Sequence, residues 1–106
     1  MALDSLVSSG CVVSGATVRR SVLFSKVRVD VGSQIEDSVV LPNVVVGRNV
    51  RLVRTVVDKH CRLPDGFCAG VNRADDEARF HVTERGVTLI TPDMLGQGWH
   101  EGHRVG

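Results

Sequence analysis

The run Val29-Asp30-Val31-Gly32-Ser33-Gln34-Ile35-Glu36-Asp37-Ser38-Val39-Val40-Leu41-Pro42-Asn43-Val44-Val45-Val46 decides the fold. Within it an aliphatic residue returns at Val29, Ile35, Val40 and Val46, in steps of six, five and six. The same beat runs back through Leu23, Val18 and Val13 to Val7, and forward through Leu52, Val57 and Leu63 to Ala69. From Val18 onward any three consecutive steps span seventeen residues. A fixed internal period is the mark of a repeat architecture. Three short strands joined by tight corners, returning one strand spacing (about 4.8 Å) higher, describe a triangular, all-β parallel solenoid of about four coils. Turn formers fill the corners, as in Ser14-Gly15, Gly32-Ser33, Pro42-Asn43, Gly47-Arg48-Asn49 and Pro64-Asp65-Gly66. A β-sandwich would instead show strict alternation with turns at irregular intervals of about 8–12 residues.

The station residues are expected to stack inward coil on coil, Val18 beneath Ile35 beneath Leu52. Four positions after each station come Cys11, Thr17, Val22, Val27, Ser33, Val39, Val44, Val50, Val56, Cys61 and Phe67. All but Phe67 are small or β-branched, and this second set is also expected to face inward near the corners. On that reading Val39→Asp would bury an unpaired carboxylate at a cost of several kcal/mol.

Composition agrees with a β-rich chain: valine is abundant and tyrosine absent. Thirteen Lys and Arg against twelve Asp and Glu leave a net charge of +1, so no global field favours nucleic acid or an anionic membrane. No apolar run approaches the ~20 residues of a membrane helix, and the first residues do not resemble a signal peptide. The expected compartment is the cytoplasm. There the three cysteines, Cys11, Cys61 and Cys68, would stay reduced; their spacing fits no zinc or redox motif.

The sequence divides into a solenoid over 1–70, a hairpin and short helix over 71–95, and a flexible tail over 96–106. Asp75-Asp76-Glu77 offers one helical turn. Phe80-His81-Val82 and Val87-Thr88-Leu89-Ile90 alternate around Glu84-Arg85-Gly86 as a hairpin, predicted to cover one end or flank of the solenoid. Thr91-Pro92 has the order of a helix cap and first helical position. In the tail, Trp99 is a candidate docking residue.

No Gly-rich nucleotide loop followed by a helix, nucleophile elbow, zincin motif or acidic pair in a credible cleft is present, and no catalytic residue is assigned. His100 and His103 have a spacing that metal ligands use, but a solvated tail is the reading preferred, and no metal site is assigned. Cys61 occupies an inward position and reads as a small core residue. Arg20, Asp37 and Arg54 share one station in successive coils and should stack as a charge ladder, worth ~0.2–1 kcal/mol per pair. Lys59 and Arg62 lack evident counter-charges. With Arg85 nearby they form a candidate pocket for a phosphorylated ligand, weighed against plain solvated bases.

Several stretches resemble bacterial glucose-1-phosphate adenylyltransferase (ADP-glucose pyrophosphorylase). Ser5 to Gly15 and Arg20-Ser21-Val22-Leu23-Phe24-Ser25 resemble the opening coils of its C-terminal domain. Val56-Val57-Asp58-Lys59 with Leu63-Pro64-Asp65-Gly66 resembles its last coil, and Ala78 to Leu95 its terminal hairpin and helix. The resemblance implies a left-handed β-helix of hexapeptide repeats. It implies a parent enzyme that makes ADP-glucose and pyrophosphate from ATP and glucose 1-phosphate with Mg2+, for glycogen synthesis. The catalytic residues of that enzyme belong to an N-terminal nucleotidyltransferase domain outside this chain. The chain itself would then need no cofactor and be inactive alone. It would serve homo-oligomer assembly and a pocket for a sugar-phosphate or other anionic effector, with the N-terminal domain as partner. Lys59 matches an effector-contacting position of the family; Arg54, Arg62 and Arg85 follow by proximity. Thr91 stands where some relatives carry a second effector lysine. The alternative is a self-standing hexapeptide-repeat acyltransferase or scaffold, a trimer with His60 as general base at a subunit cleft.

Overall fold

The computed structural model describes residues 2–97. It is a three-sided parallel solenoid. The first face stacks β1 (Ala2–Leu3), β4 (Thr17–Arg19), β7 (Gln34–Glu36), β10 (Arg51–Val53) and β13 (Cys68–Ala69). The second stacks β2 (Leu6–Val7), β5 (Val22–Leu23), β8 (Val39–Val40) and β11 (Thr55–Val57). The third stacks β3 (Val12–Val13), β6 (Arg28–Val29), β9 (Val45–Val46) and β12 (Arg62–Leu63). The parallel register puts Val18 against Ile35, Ile35 against Leu52, and Leu52 against Ala69, the stacking read from the seventeen-residue period.

Every station from Val18 to Ala69 is buried. Val7 and Val13, in the first coil, are not; Val7 is 40% exposed because no coil lies beneath it among the described residues. Burial of aliphatic area is the main favourable term, and it is available only where a coil has neighbours on both sides.

The second inward set differs from the expectation. After six-residue steps the residue four positions on is buried, as at Val27, Ser33, Val44, Val50, Cys61 and Phe67. After five-residue steps it is not: Thr17, Val22, Val39 and Val56 are half-exposed and point outward. The reason is strand alternation. In a five-residue step that position immediately precedes the next station, so it takes the opposite face. The inward partner is always two residues before a station, which on the short steps gives Ala16, Ser21, Ser38 and Thr55, all buried.

This correction exposes a device at the short corners. Arg20, Asp37 and Arg54 occupy them with left-handed backbones, φ 46°, 49° and 49°. Each is followed by a buried hydroxyl. The Ser21 hydroxyl accepts from the Ser38 N–H (3.0 Å) and donates to the Arg19 carbonyl (2.7 Å). The Ser38 hydroxyl accepts from the Thr55 N–H (3.1 Å) and donates to the Glu36 carbonyl (2.7 Å). The tight corner turns one peptide N–H away from the carbonyls of the coil below, and the hydroxyl takes it. Ser33 serves Val50 in the same way at a different corner (3.0 Å). The column Ala16, Ser33, Val50, Phe67 also grows in bulk from one end of the core to the other.

Above β13 the chain leaves the solenoid at Gly70, whose left-handed φ of 83° brings it so close to Val53 that a Cβ would overlap the Val53 carbonyl oxygen. The helix α1 (Arg73–Arg79) follows, capped by Asn72, which accepts from the Asp75 N–H (3.2 Å). Buried Asp76 reaches back to accept from the Gly70 N–H (2.8 Å). The hairpin read from sequence is present as β14 (His81–Val82) and β15 (Thr88–Ile90), antiparallel to each other, with β15 extending the second face beside β11. A 3-10 turn, Asp93–Leu95, ends the described chain, and the Thr91 hydroxyl accepts from the Met94 N–H (3.4 Å). Gly96 and Gln97 of the expected tail are described and folded back; Trp99, His100 and His103 lie outside the described residues.

Two expectations follow. Val40→Asp should abolish cooperative unfolding in urea, whereas Val39→Asp should lower the unfolding free energy by less than about 1 kcal/mol, the scale of an ordinary surface change. Ser38→Ala should cost about 1–3 kcal/mol in the same assay, because it strands the Thr55 N–H in the core.

Candidate anion site at the last coil

The four candidate basic residues lie around the last coil and the hairpin turn beside it. Arg54 stands at the corner before β11, and its guanidinium donates to the Arg85 backbone carbonyl at 2.8 Å, tying the hairpin turn to the coil. Lys59 stands at the corner after β11, and Arg62 opens β12. The strand between them holds the two corners roughly 15 Å apart along the backbone, at about 3.3 Å per residue. Both Lys59 and Arg62 are exposed.

The Lys59 corner is held tightly. The Asp58 carboxylate accepts from the Lys59 N–H (2.8 Å), and the Asp58 N–H donates to the Ile90 carbonyl (2.8 Å). His60 takes a left-handed conformation, φ 65°, in column with Lys26 and Asn43, and its N–H donates to the Pro42 carbonyl (3.2 Å). Cys61 beneath is fully buried, and burial, with a smaller contribution from the Asp58 charge, pushes its thiol up to about 12. Thr91 follows Ile90 directly above this corner, in register with Asp58.

The charge ladder is present in its lower part. Arg20 binds Asp37 through two contacts, Nε–Oδ1 at 2.7 Å and a terminal nitrogen to Oδ2 at 3.2 Å. The hydrogen bond from Arg20 holds the Asp37 carboxyl below its ordinary value. Arg54 turns instead to the Arg85 carbonyl. Among the described residues no group of three His, Cys, Asp or Glu side chains could hold a metal ion, and no helix is long and apolar enough to cross a membrane.

Three features escaped the reading of the sequence. An open cleft of about 380 Å³ lies beside the last coil, lined by Pro64, Phe67, Phe80, Met94, Leu95 and the Arg79 and Gln97 side chains. Arg79 lies over both Phe67 and Phe80, 5.5 and 4.8 Å from the ring centroids, and donates to the Cys68 carbonyl at the upper edge of the first face. The second face is clad outside in aliphatics: Leu6, Val22, Val39, Val56 and Leu89 lie in one register row, with Phe24 and Leu41 beside them. Strand alternation makes that row legible once the five-residue steps are assigned correctly.

A family model described as "GlmU-like, C-terminal hexapeptide" matches residues 1–90. Among curated proteins, the chain is 62% identical over 99 residues to glucose-1-phosphate adenylyltransferase of Nitrosospira multiformis, covering 93% of this chain and 23% of that protein. The same enzyme of Methylobacillus flagellatus matches at 62% over 99 residues, with 93% and 23% coverage. That of Dechloromonas aromatica matches at 54% over 101 residues, with 95% and 23% coverage. The chain therefore spans about a quarter of the length of these relatives, and the likeness is to their C-terminal part.

The cysteines offer a check on the site's packing. A thiol reagent at pH 8 should modify exposed Cys68 within seconds to minutes and leave Cys61 untouched until the chain unfolds. Fast labelling of Cys61 in the native chain would mean the corner beneath Lys59 is open.

Proposed function

This chain belongs to the GlmU-like C-terminal hexapeptide family, and we propose that it is the assembly and effector-responsive domain of a glucose-1-phosphate adenylyltransferase. The parent reaction would convert ATP and glucose 1-phosphate to ADP-glucose and pyrophosphate with Mg2+, on a catalytic domain supplied by the rest of a longer protein. The observation that carries this reading is the aliphatic outer row of the second face. Leu6 is 70% exposed and Phe24 40% exposed, while the outward rows of the other two faces carry charges, such as Arg19 and Glu36 or Arg28 and Arg62. A continuous apolar sheet face marks an interaction surface, and the partner proposed for it is the remainder of the parent enzyme. Two exposed bases at the last corner, Lys59 and Arg62, suit a phosphorylated effector, since both donate to phosphate oxygens.

The test is reconstitution. The complementary N-terminal part of the parent enzyme is mixed with this chain, and association is followed by light scattering while ADP-glucose formation is assayed across anionic sugar phosphates. The wild-type chain should associate and confer an effector response. Val39→Asp should weaken association at least about tenfold, the effect of losing a buried contact at an interface centre. Lys59→Ala should keep association and lose the effector response. Unchanged association of Val39→Asp removes the second face from the assembly, and an unchanged response of Lys59→Ala removes the anion site.

A further inference from the structure

The third face ends at β12, and its last strand is closed in an unusual way. In the coils below, peptide N–H groups reach the carbonyl of the coil above: Arg28 to Val44 and Val45 to Cys61, each at 3.0 Å. Arg62 stands at the next place in that column, where the described chain supplies no further strand of this face. Its two peptide groups are both taken by the side chain of Gln97. The Arg62 N–H donates to Oε1 at 2.8 Å, and Nε2 donates to the Arg62 carbonyl at 2.8 Å. One primary amide thus supplies the contacts that a fifth coil would have made.

Gln97 is itself held in place. Its N–H donates to the Pro92 carbonyl (2.8 Å), and Gly96, at φ 73°, donates to the Asp93 carbonyl (3.0 Å) while turning the chain back over the coil. At the other side of the same corner, Asp58 is bonded to Ile90. The corner from Asp58 to Arg62 is therefore fixed from above at both ends by a single segment, Ile90 to Gln97.

We infer that Gln97 is a positioning residue for the Lys59–Arg62 anion site, acting as a latch on the Arg62 backbone; this rests on the reading of that corner as an anion site. With the latch closed, the guanidinium of Arg62 projects from a fixed strand. With it open, the Arg62 peptide groups exchange their hydrogen bonds to Gln97 for hydrogen bonds to water, the end of β12 frays, and binding an anion must first re-order it. The latch also joins the site to the last described turn of the chain, so whatever moves Gln97 sets the strength of anion binding.

The experiment uses the full 106-residue chain with inorganic pyrophosphate as the probe, read by titration of backbone amide NMR signals and by amide hydrogen exchange. Gln97→Met keeps the bulk of the side chain and removes both hydrogen bonds. It should weaken pyrophosphate binding about five- to tenfold and speed exchange at the Arg62 amide, with neighbouring strands unchanged. Ser38→Ala, a comparable loss of stability far from the corner, should leave the affinity as in wild type. If Gln97→Met binds like wild type while Lys59→Ala binds weakly, the latch is overturned and the anion site stands. If Lys59→Ala binds like wild type, or the wild-type chain does not bind pyrophosphate, the anion reading falls and the latch falls with it.

Discussion

A peptide group in a solenoid has only the coil above and the coil below to bond with, and the structure depends on that constraint. Inside the stack the constraint satisfies itself, because a seventeen-residue coil brings each strand into register with its copy. At corners and at the upper end it does not, and each failure is answered by a particular side chain. The short corners use Ser21, Ser38 and Thr55. The three faces are closed above by three different means: Arg79 on the Cys68 carbonyl, the β14–β15 hairpin beside β11, and the Gln97 amide on Arg62. A buried or edge N–H left without a partner costs more than most contacts gain. These few polar residues therefore weigh as much in the fold as many of the valines.

The repeat of Val, Leu and Ile is legible in the sequence because burial at a fixed period leaves an unbroken aliphatic record. Val18 to Ala69 follow it throughout. The hairpin is legible for a similar reason, through alternation around a glycine turn. The second inward set is only half legible. Counting forward from a station ignores that a five-residue step removes a residue from the corner, while counting back two positions preserves the alternation and gives Ser21, Ser38 and Thr55. Their hydroxyls look like turn residues in sequence and act as core acceptors in space. Of the candidate site, the exposure of Lys59 and Arg62 is legible from their lack of counter-charges. The bond from Arg54 to the Arg85 carbonyl is not, because it joins residues thirty-one positions apart. Gln97 gives no local signal at all: its partner is thirty-five positions away.

The proposed anion site and the apolar face are supported in different ways. The second face is an array of strands whose inner residues Leu23, Val40, Val57 and Ile90 are wholly buried. The last corner has a full coil beneath it and one segment, 90–97, above, which bonds it at Asp58 and at Arg62. Lys59 and Arg62 lie on this corner, one strand's length from the Arg54 corner, where the hairpin adds its own support.

The column of Ala16, Ser33, Val50 and Phe67 gives the stack a direction. In a repeat protein of interchangeable units, a coil can be gained or lost, or the whole register can slide by one unit, with little penalty. Here a slide by one coil would carry Phe67 into the room left for Val50 and leave a void where Phe67 had packed beside Phe80 at 5.7 Å. Each coil thus bears an address written in side-chain volume. A polypeptide whose strands look alike has in this way a single favoured order.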